Sequence, residues 1–395
     1  MKPESSAKQS TGRMTGWAVR PLKSAAAWAL PYWTRGEPGR ETPSDLFRVL
    51  YLGWVIAMTL KVLGSSWDVS WHFKWLRDDL APPHLINSVG TAIVVALTIV
   101  HGYTGYGVDR TALRLIQTGT GVFLVAVPLD LINHRVNGLD ITSWSPSHML
   151  LYIGTAFMIA GVIRGWFTGA PEGSRRSLVL GALFLFCLEN TWFPSQHQEY
   201  GVFGIHAWDR GEPEAEPILL QFAADQMGRA VDRDMVVAFS LPVPDFLYPV
   251  YATVAGVAVL VLARMMIGRA WSATLIAAAY VAYRMVIWPL LAVADFPVSA
   301  VPFFLVGAAV CVDLAFQIKV PVVRALAGAA LVTGGSYLAL YAQHTLLDSP
   351  PLMPASAPVA FGLLAVVWLG GEWFVQRYNL KGQPTGARVS ATATP

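Results

Sequence analysis

The sequence predicts an all-α fold, a polytopic transmembrane helix bundle of about ten spans with both termini in the cytoplasm. Of the 395 residues, 54% are hydrophobic and only 13% are charged, against about a quarter charged in an average soluble domain. Stretches of about 20 mostly apolar residues, the length that crosses a bilayer as a helix, recur along the chain. Because so little polar surface is available, lipid must cover most of the exterior.

Ten candidate spans are separated by polar or proline-containing breaks. They lie at 49–67, 84–103, 111–131, 147–165, 177–191, 246–266, 272–293, 298–317, 323–342 and 356–376. The fifth of these is short. Basic residues favour the cytoplasmic side of a membrane, and their distribution between the spans places both termini on that side of the cell membrane.

These spans divide the chain into five parts. They are a basic N-terminal tail (1–45), a five-span metal-binding half (46–191), an extracytoplasmic loop (192–244), a five-span C-terminal half (245–378) and a disordered tail (379–395). The N-terminal tail mixes Trp, Ala and Leu with basic residues, which fits either a segment on the membrane surface or a disordered one.

Charge and cysteine content exclude several classes of protein. The net charge of +3 is small and dispersed, so it does not indicate a nucleic-acid partner. Cys187 and Cys311 each lie in an apolar stretch without a CxxC partner, which favours packing over a disulfide or a thiolate metal cluster. Glycine-rich loops with phosphate-binding spacing are absent, as are flavin, haem and nicotinamide motifs.

An internal repeat contains four of the eight histidines. Each unit has an Asp and a His four residues apart at the end of one span, and a second His after a proline at the start of the next. The residues are Asp68, His72 and His84 in the first unit and Asp130, His134 and His148 in the second. The Asp and the first His are offset by 62 residues between the units, and the second His by 64.

Helix geometry predicts that each set of three converges. Residues four apart lie on the same face of a helix, one turn apart, and an antiparallel hairpin brings the start of the next span alongside. Two imidazoles and a carboxylate suit copper, iron or zinc and leave coordination positions open. A simple helix cap or hydrogen-bonded pair is the alternative for either unit alone, but the matched duplication favours metal.

Because successive spans alternate in direction, both triads are expected on the extracytoplasmic side. Glu189 and His197 emerge there too, and we consider them either as further groups of the metal sites or as ordinary polar loop residues. His101 belongs to the opposite end of its span and is excluded as a ligand. Arg284 and Asp313 are charges within spans and are expected to pair with bundle groups or to line a polar path.

These motifs resemble those of the C subunit of particulate methane and ammonia monooxygenases, the copper membrane monooxygenases. The family's first motif is Asp-x3-His-x12-His with an internal Arg-Asp and a Pro-Ser-His; its second is Asn-x3-His-x13-His. The matching residues here are Asp68, Trp71, His72, Arg77, Asp78 and His84, then Asp130, His134, Pro146, Ser147, His148 and Tyr152. The first long gap here is one residue shorter, and Asp130 replaces the Asn.

The resemblance covers residues 60–160 and implies two copper sites that activate oxygen and hydroxylate a small or lipophilic substrate. It also implies that a cupredoxin-like partner or other subunits of a membrane oxidase complex assist the reaction. The family's C subunit lacks the five further spans seen here. Zinc and iron remain alternatives to copper, and the chain is expected to be an oxidoreductase or a subunit of one.

Three other functions remain open from the residues alone. Paired sites in a ten-span bundle also suit transport or delivery of copper or another divalent metal, although transport sites usually lie near the middle of the membrane. A zinc-dependent membrane hydrolase with Glu189 as the base is the second alternative. In the third, the triads only stabilise a scaffold within a larger complex.

Overall fold

The computed structural model describes residues 27–76, 80–137, 142–377 and 389–390. Across these ranges almost all regular structure is helical, and nine helices are long and apolar enough to cross a membrane. The predicted all-α polytopic bundle is therefore confirmed, and the chain is a membrane protein.

The N-terminal half consists of five long helices. They are α1 (Ser44–Lys74), α2 (Pro82–Thr104), α3 (Arg110–Asn137), α4 (Pro146–Gly169) and α5 (Ser174–Asp209). Two short helices follow, α6 (Pro217–Met227) and α7 (Arg233–Ser240). Successive long helices run antiparallel, so the end of α1, the start of α2, the end of α3 and the start of α4 all lie at one end of the bundle, here called the triad end.

The C-terminal half adds four further long helices and one short one. They are α8 (Leu247–Ile267), α9 (Ser272–Val293), α10 (Phe304–Ala315), α11 (Pro321–Leu346) and α12 (Ala357–Arg377). Residues Ala252–Gly256 form a π-helical turn within α8, and 3-10 turns lie at Leu30–Tyr32 and Pro354–Ser356. Two short strands, β1 (Thr42–Pro43) and β2 (Val389–Ser390), pair in parallel with Thr42 opposite Val389.

Small residues bring the helices of each N-terminal hairpin into backbone contact. A Cβ on Gly90 of α2 would lie 2.9 Å from the carbonyl oxygen of Ala57 in α1, and one on Gly154 of α4 would lie 3.0 Å from that of Gly119 in α3. These positions are offset by 64 and 62 residues between the hairpins, the same offsets as the ligand residues. The internal repeat therefore extends from the predicted ligands into the packing of both hairpins.

Helix α5 differs from the prediction, because the short fifth span and the first third of the predicted loop 192–244, up to Asp209, form one helix. At 36 residues it is about 54 Å long. Its polar residues Ser195–Glu199 are buried. In the sequence they resemble a loop, because groups with which they form hydrogen bonds lie on helices far away in the chain. Helices α6 and α7 occupy much of the remaining segment and pack, with the end of α1, around a separate apolar cluster at the triad end.

The predicted eighth span, 298–317, is only half helical. Helix α10 has 12 residues, about 18 Å, too short to cross a bilayer alone. Before it the chain is extended: the Pro297 carbonyl accepts a hydrogen bond from Ser70 near the triad end, while Asp313 accepts from the Thr274 backbone at the opposite end. This crossing thus combines an extended segment with a half-helix, and irregular backbone at such depth is tolerated where protein surrounds it.

Some predicted features lie outside the described residues. They include residues 1–26 of the N-terminal tail and the Arg77 and Asp78 pair of the first motif. The predicted disordered tail also lies outside them, apart from β2.

The glycine contact in the second hairpin can be tested by enlargement. Gly154→Leu should separate α3 from α4, because the new Cβ would lie 2.8 Å from the Phe123 backbone nitrogen, and overpacking of this kind costs about 1–3 kcal/mol. Thermal unfolding in detergent should show the loss. Gly121→Leu on α3, where nothing lies within 4 Å, is the control; equal stability of the two variants would contradict the close-packing argument.

Candidate metal centres

The first triad lies where α1 meets α2, as the sequence predicts. Asp68 and His72 are one turn apart near the end of α1, and His84 lies in the first turn of α2. The Asp68 Oδ1 atom is 3.4 Å from His72 Nε2 and 2.8 Å from His84 Nε2. Potential ligand atoms of all three residues lie within 4.8 Å of one another, so one cation could contact all three.

The second triad repeats this arrangement where α3 meets α4. The Asp130 Oδ1 atom is 3.4 Å from His134 Nε2 and 3.7 Å from His148 Nε2, and the ligand atoms again lie within 4.8 Å of one another. The Asp130 and His134 side chains are each only 6% exposed, against 21% and 32% for Asp68 and His72. The second triad is therefore the better shielded from water.

The entry to α4 holds His148 in an orientation suited to a cation. Pro146 occupies the first helical turn, and the Ser145 hydroxyl accepts the backbone N–H of His148, capping the helix. The His148 Nδ1 atom lies 3.1 Å from the Thr142 carbonyl oxygen, which can only accept, so Nδ1 carries the proton. In a neutral imidazole the lone pair is then on Nε2, directed at the Asp130 carboxylate, and a cation bound between the two would stabilise this arrangement.

The donor set of each triad fits a transition metal. Neutral imidazole and carboxylate are ligands of copper, iron and zinc, and three protein ligands leave positions open for other groups. One carboxylate with two neutral imidazoles carries a single negative charge. A divalent cation bound by these three groups would leave the site with a net charge of +1.

One cavity of about 550 Å³ connects the two triads. Five of the six ligand residues line it: Asp68, His72, His84, Asp130 and His148. Much of the remaining wall is apolar, and it includes Leu124, Val127 and Leu131 of α3, which are exposed. The cavity is therefore accessible beside apolar side chains of a helix long enough to cross a membrane, and an apolar molecule could enter it there.

His197, one of the two further candidates, lines the cavity but is engaged elsewhere. Its Nε2 atom lies 2.9 Å from the Phe239 carbonyl oxygen, to which it donates, and its Nδ1 atom accepts the Ser143 backbone N–H at 3.5 Å. With both ring nitrogens used, His197 does not join a triad. It instead connects α5 and α7 to the segment that precedes His148, which is a positioning role. The sequence did not indicate this role, because His197 was predicted to lie in a loop.

Glu189, the other candidate, lines the cavity and is held in a buried network. Its Oε1 accepts hydrogen bonds from Ser66 at 2.8 Å and Gln196 at 2.9 Å, and its Oε2 accepts from Tyr280 at 2.7 Å. The Tyr280 hydroxyl in turn accepts from Arg284. Glu189 therefore belongs to neither triad, but it connects the cavity to the C-terminal half.

Arg284 continues this network to a second buried carboxylate. One guanidinium nitrogen donates to Glu199 at 2.8 Å and to Ser299 of the extended segment at 2.7 Å. Trp192 and Tyr248 donate to the other Glu199 oxygen. The expected pairing of Arg284 within the bundle is thereby observed, and Asp313, the other charge, pairs with Arg264 at 2.9 Å.

The remaining histidines lie away from both triads. His101 is fully buried, accepts the Trp54 indole N–H and contacts the Tyr106 carbonyl oxygen. His344 contacts the Ser349 hydroxyl, and His206 contacts Asp348 at 3.4 Å. The exclusion of His101 is thus supported by its own hydrogen bonds.

Lys61 is the one cavity residue of evident chemistry that the sequence argument did not single out. It lies in the middle of α1, is 7% exposed and lines the cavity. The sequence did contain a signal for Lys61. It is a charged residue inside an apolar span, and it lies two turns before Asp68 on the same helix face.

Replacing His197 distinguishes a ligand from a positioning residue. We expect His197→Ala to retain metal at both triads under saturating conditions, because no ligand atom is lost. The affinity of the second triad should fall about 10-fold or more, the usual effect of removing a group that orients a ligand. Metal titration measures both quantities. Loss of a full metal equivalent from folded protein would show instead that His197 is a ligand.

Replacing Arg284 tests the buried network. Arg284→Met leaves the Glu199 carboxylate buried without its cation, a change that typically costs about 3–5 kcal/mol. Thermal unfolding in detergent should show a large loss, and adding Glu199→Gln should restore most of it. Arg233→Met, which breaks the exposed pair with Asp209, is the control and should change stability little. An Arg284→Met protein as stable as the parent would contradict the pairing.

Comparison with known proteins leaves the geometry of the triads as the main guide to function. No protein-family model, curated protein or solved structure matches the chain. The resemblance to the monooxygenase C subunit thus rests on the motif residues alone.

Proposed function

We propose that this chain is a membrane metalloprotein of the oxidoreductase class, with copper at both triads, that acts on a small or lipophilic substrate in the shared cavity. One observation supports this above all others: two matched sets of two imidazoles and one carboxylate open into a single cavity beside lipid-facing residues. A purely structural metal would need neither an accessible cavity nor open coordination positions.

Copper is proposed first because the ligand spacing resembles that of copper membrane monooxygenases and because imidazole suits copper well. Iron and zinc are compatible with the same donors. Copper bound at these sites would supply one-electron redox chemistry and oxygen activation for hydroxylation of the substrate.

The chain's own residues would orient the metals and exclude water. The i, i+4 pairs fix the carboxylate and one imidazole on a rigid helix, and the start of the next helix supplies the other imidazole. Apolar walls such as Phe123, Phe186 and Phe193 would surround the substrate. We expect electrons to come from an external reductant, for example a cupredoxin-like partner or another subunit of a membrane complex.

Metal transport is the main alternative, and the position of the triads argues against it. Both lie at one end of the bundle, whereas transport sites are usually near the middle of the membrane. The buried charges Arg284 and Glu199 are paired with each other and would not need a passing cation.

A zinc hydrolase has one observation in its favour, since Glu189 lines the same cavity. A general base must have an oxygen within reach of the attacking water. Both Glu189 oxygens already accept hydrogen bonds from Ser66, Gln196 and Tyr280, so this reading is the weaker one.

Metal analysis of the purified protein tests the proposal. We expect two copper equivalents per chain, with His84→Ala removing one and His148→Ala removing the other, because each triad is complete in itself. His344→Gln, a histidine at the triad end that belongs to neither site, is the control and should keep both. Spectroscopy on the single-site variants would then identify each centre.

Three outcomes would count against the proposal. Stoichiometric zinc without copper would favour the hydrolase. Loss of both equivalents from either folded histidine variant would contradict two independent sites. Absence of any bound metal after copper loading would remove the metalloprotein assignment altogether.

A further inference from the structure

A buried ammonium group lies in the wall of the cavity. Lys61 is 7% exposed; its Nζ atom donates to Asn87 Oδ1 at 2.9 Å and to Thr91 Oγ1 at 3.2 Å. Among the described residues no carboxylate lies within ion-pair distance of Nζ. Both partners are neutral, so a positive charge on Lys61 would be hydrogen-bonded but not neutralised by a carboxylate of the described residues.

The helix register places this charge directly below the first triad. Lys61 precedes Asp68 by seven residues, two helical turns, so both lie on the same face of α1 about 10 Å apart along the axis. Asn87 and Thr91 follow His84 by three and seven residues on the facing side of α2. The α1–α2 hairpin therefore has polar groups at two depths. The triad residues lie at its end, and the Lys61 side chain lies deeper in the cavity.

The second hairpin shows that the fold does not require this charge. At the repeat offsets, Lys61 corresponds to Phe123 and Asn87 to Leu151, both apolar, yet α3 and α4 pack through the same glycine contact as α1 and α2. Phe123 also lies against the ammonium group, with Nζ 4.0 Å from the ring centroid. Burying an ionisable group in a membrane span is energetically unfavourable, and such groups are usually functional. Here only the first repeat unit has one at this position.

We propose that Lys61 binds the carboxylate of an amphipathic substrate whose apolar chain extends toward the triads. This deepens the function proposed above, on which it rests, by naming the substrate class as a medium-chain carboxylic acid. A carboxylate would neutralise the charge and accept the remaining N–H of the ammonium group. The apolar cavity wall would enclose the chain.

The geometry also defines which part of such a molecule meets the metals. With the carboxylate at Lys61 Nζ, which contacts Asn87 and Thr91 of α2, the chain would span about 5–10 Å to reach the level of His84, three residues before Asn87 and seven before Thr91. Reaction would then fall in the outer half of an eight-carbon chain, and Lys61 would set both the class of substrate and the position at which it is attacked.

Equilibrium binding of radiolabelled octanoate to the full-length protein in lipid nanodiscs tests the proposal. We expect octanoate to bind and octanol, which has the same chain without the charge, to compete at least about tenfold more weakly. Lys61→Met should weaken octanoate binding about ten- to hundredfold and leave octanol binding unchanged. Lys74→Met, on the same helix with its partner Asp295 outside the cavity, is the matched control and should bind octanoate like the parent.

The outcomes separate this proposal from the metal assignment. If octanoate fails to bind, if octanol competes equally, or if folded Lys61→Met binds octanoate like the parent, the carboxylate site is wrong even where both copper equivalents are present. If octanoate binds through Lys61 but no metal is found, the site stands and the oxidoreductase assignment fails. The octanoate-to-octanol ratio on the parent protein decides the matter should Lys61→Met not fold.

Discussion

The convergence of one carboxylate with two imidazoles at each hairpin is the constraint on which the site depends. Two of the three donors come from one helix turn and the third from the start of the next helix, so the helices must approach closely and in one register. Gly90 and Gly154 permit that approach. Three potential electron-pair donors face one point in each hairpin, an arrangement that could hold a cation.

The two buried carboxylates of α5 are held by hydrogen bonds from several helices. Helix α5 carries Glu189 and Glu199 through the interior, and each carboxylate accepts several hydrogen bonds from neighbouring helices. Arg284 connects the two through Tyr280 and also holds the extended segment through Ser299. The C-terminal half thus stabilises the cavity wall through hydrogen bonds to α5, and it contributes no residue to the triads.

The two repeat units share a frame but differ in what they place in the cavity. Both supply a triad, and both pack through small residues at equivalent positions. At the level two turns deeper, the first unit presents Lys61 and the second presents Phe123. The two units therefore match at the triad residues and differ two turns deeper. As a result, the shared cavity has a lysine side chain on one wall and a phenylalanine side chain on the other.

The helical class, the repeat and the six triad residues could be predicted from the residues alone, because helix periodicity and spacing are local properties. Ser195–Glu199 was wrongly predicted as a loop, since polar side chains resemble loop residues until their distant partners are known. The stretch 298–317 was wrongly predicted as a full helix from its apolar composition, since composition alone does not distinguish a helix from irregular backbone that is buried in protein. Only the tertiary structure showed that both triads share one cavity and that His197 is engaged by Phe239 and Ser143. Those facts depend on contacts between helices far apart in the chain, which no spacing within one segment encodes.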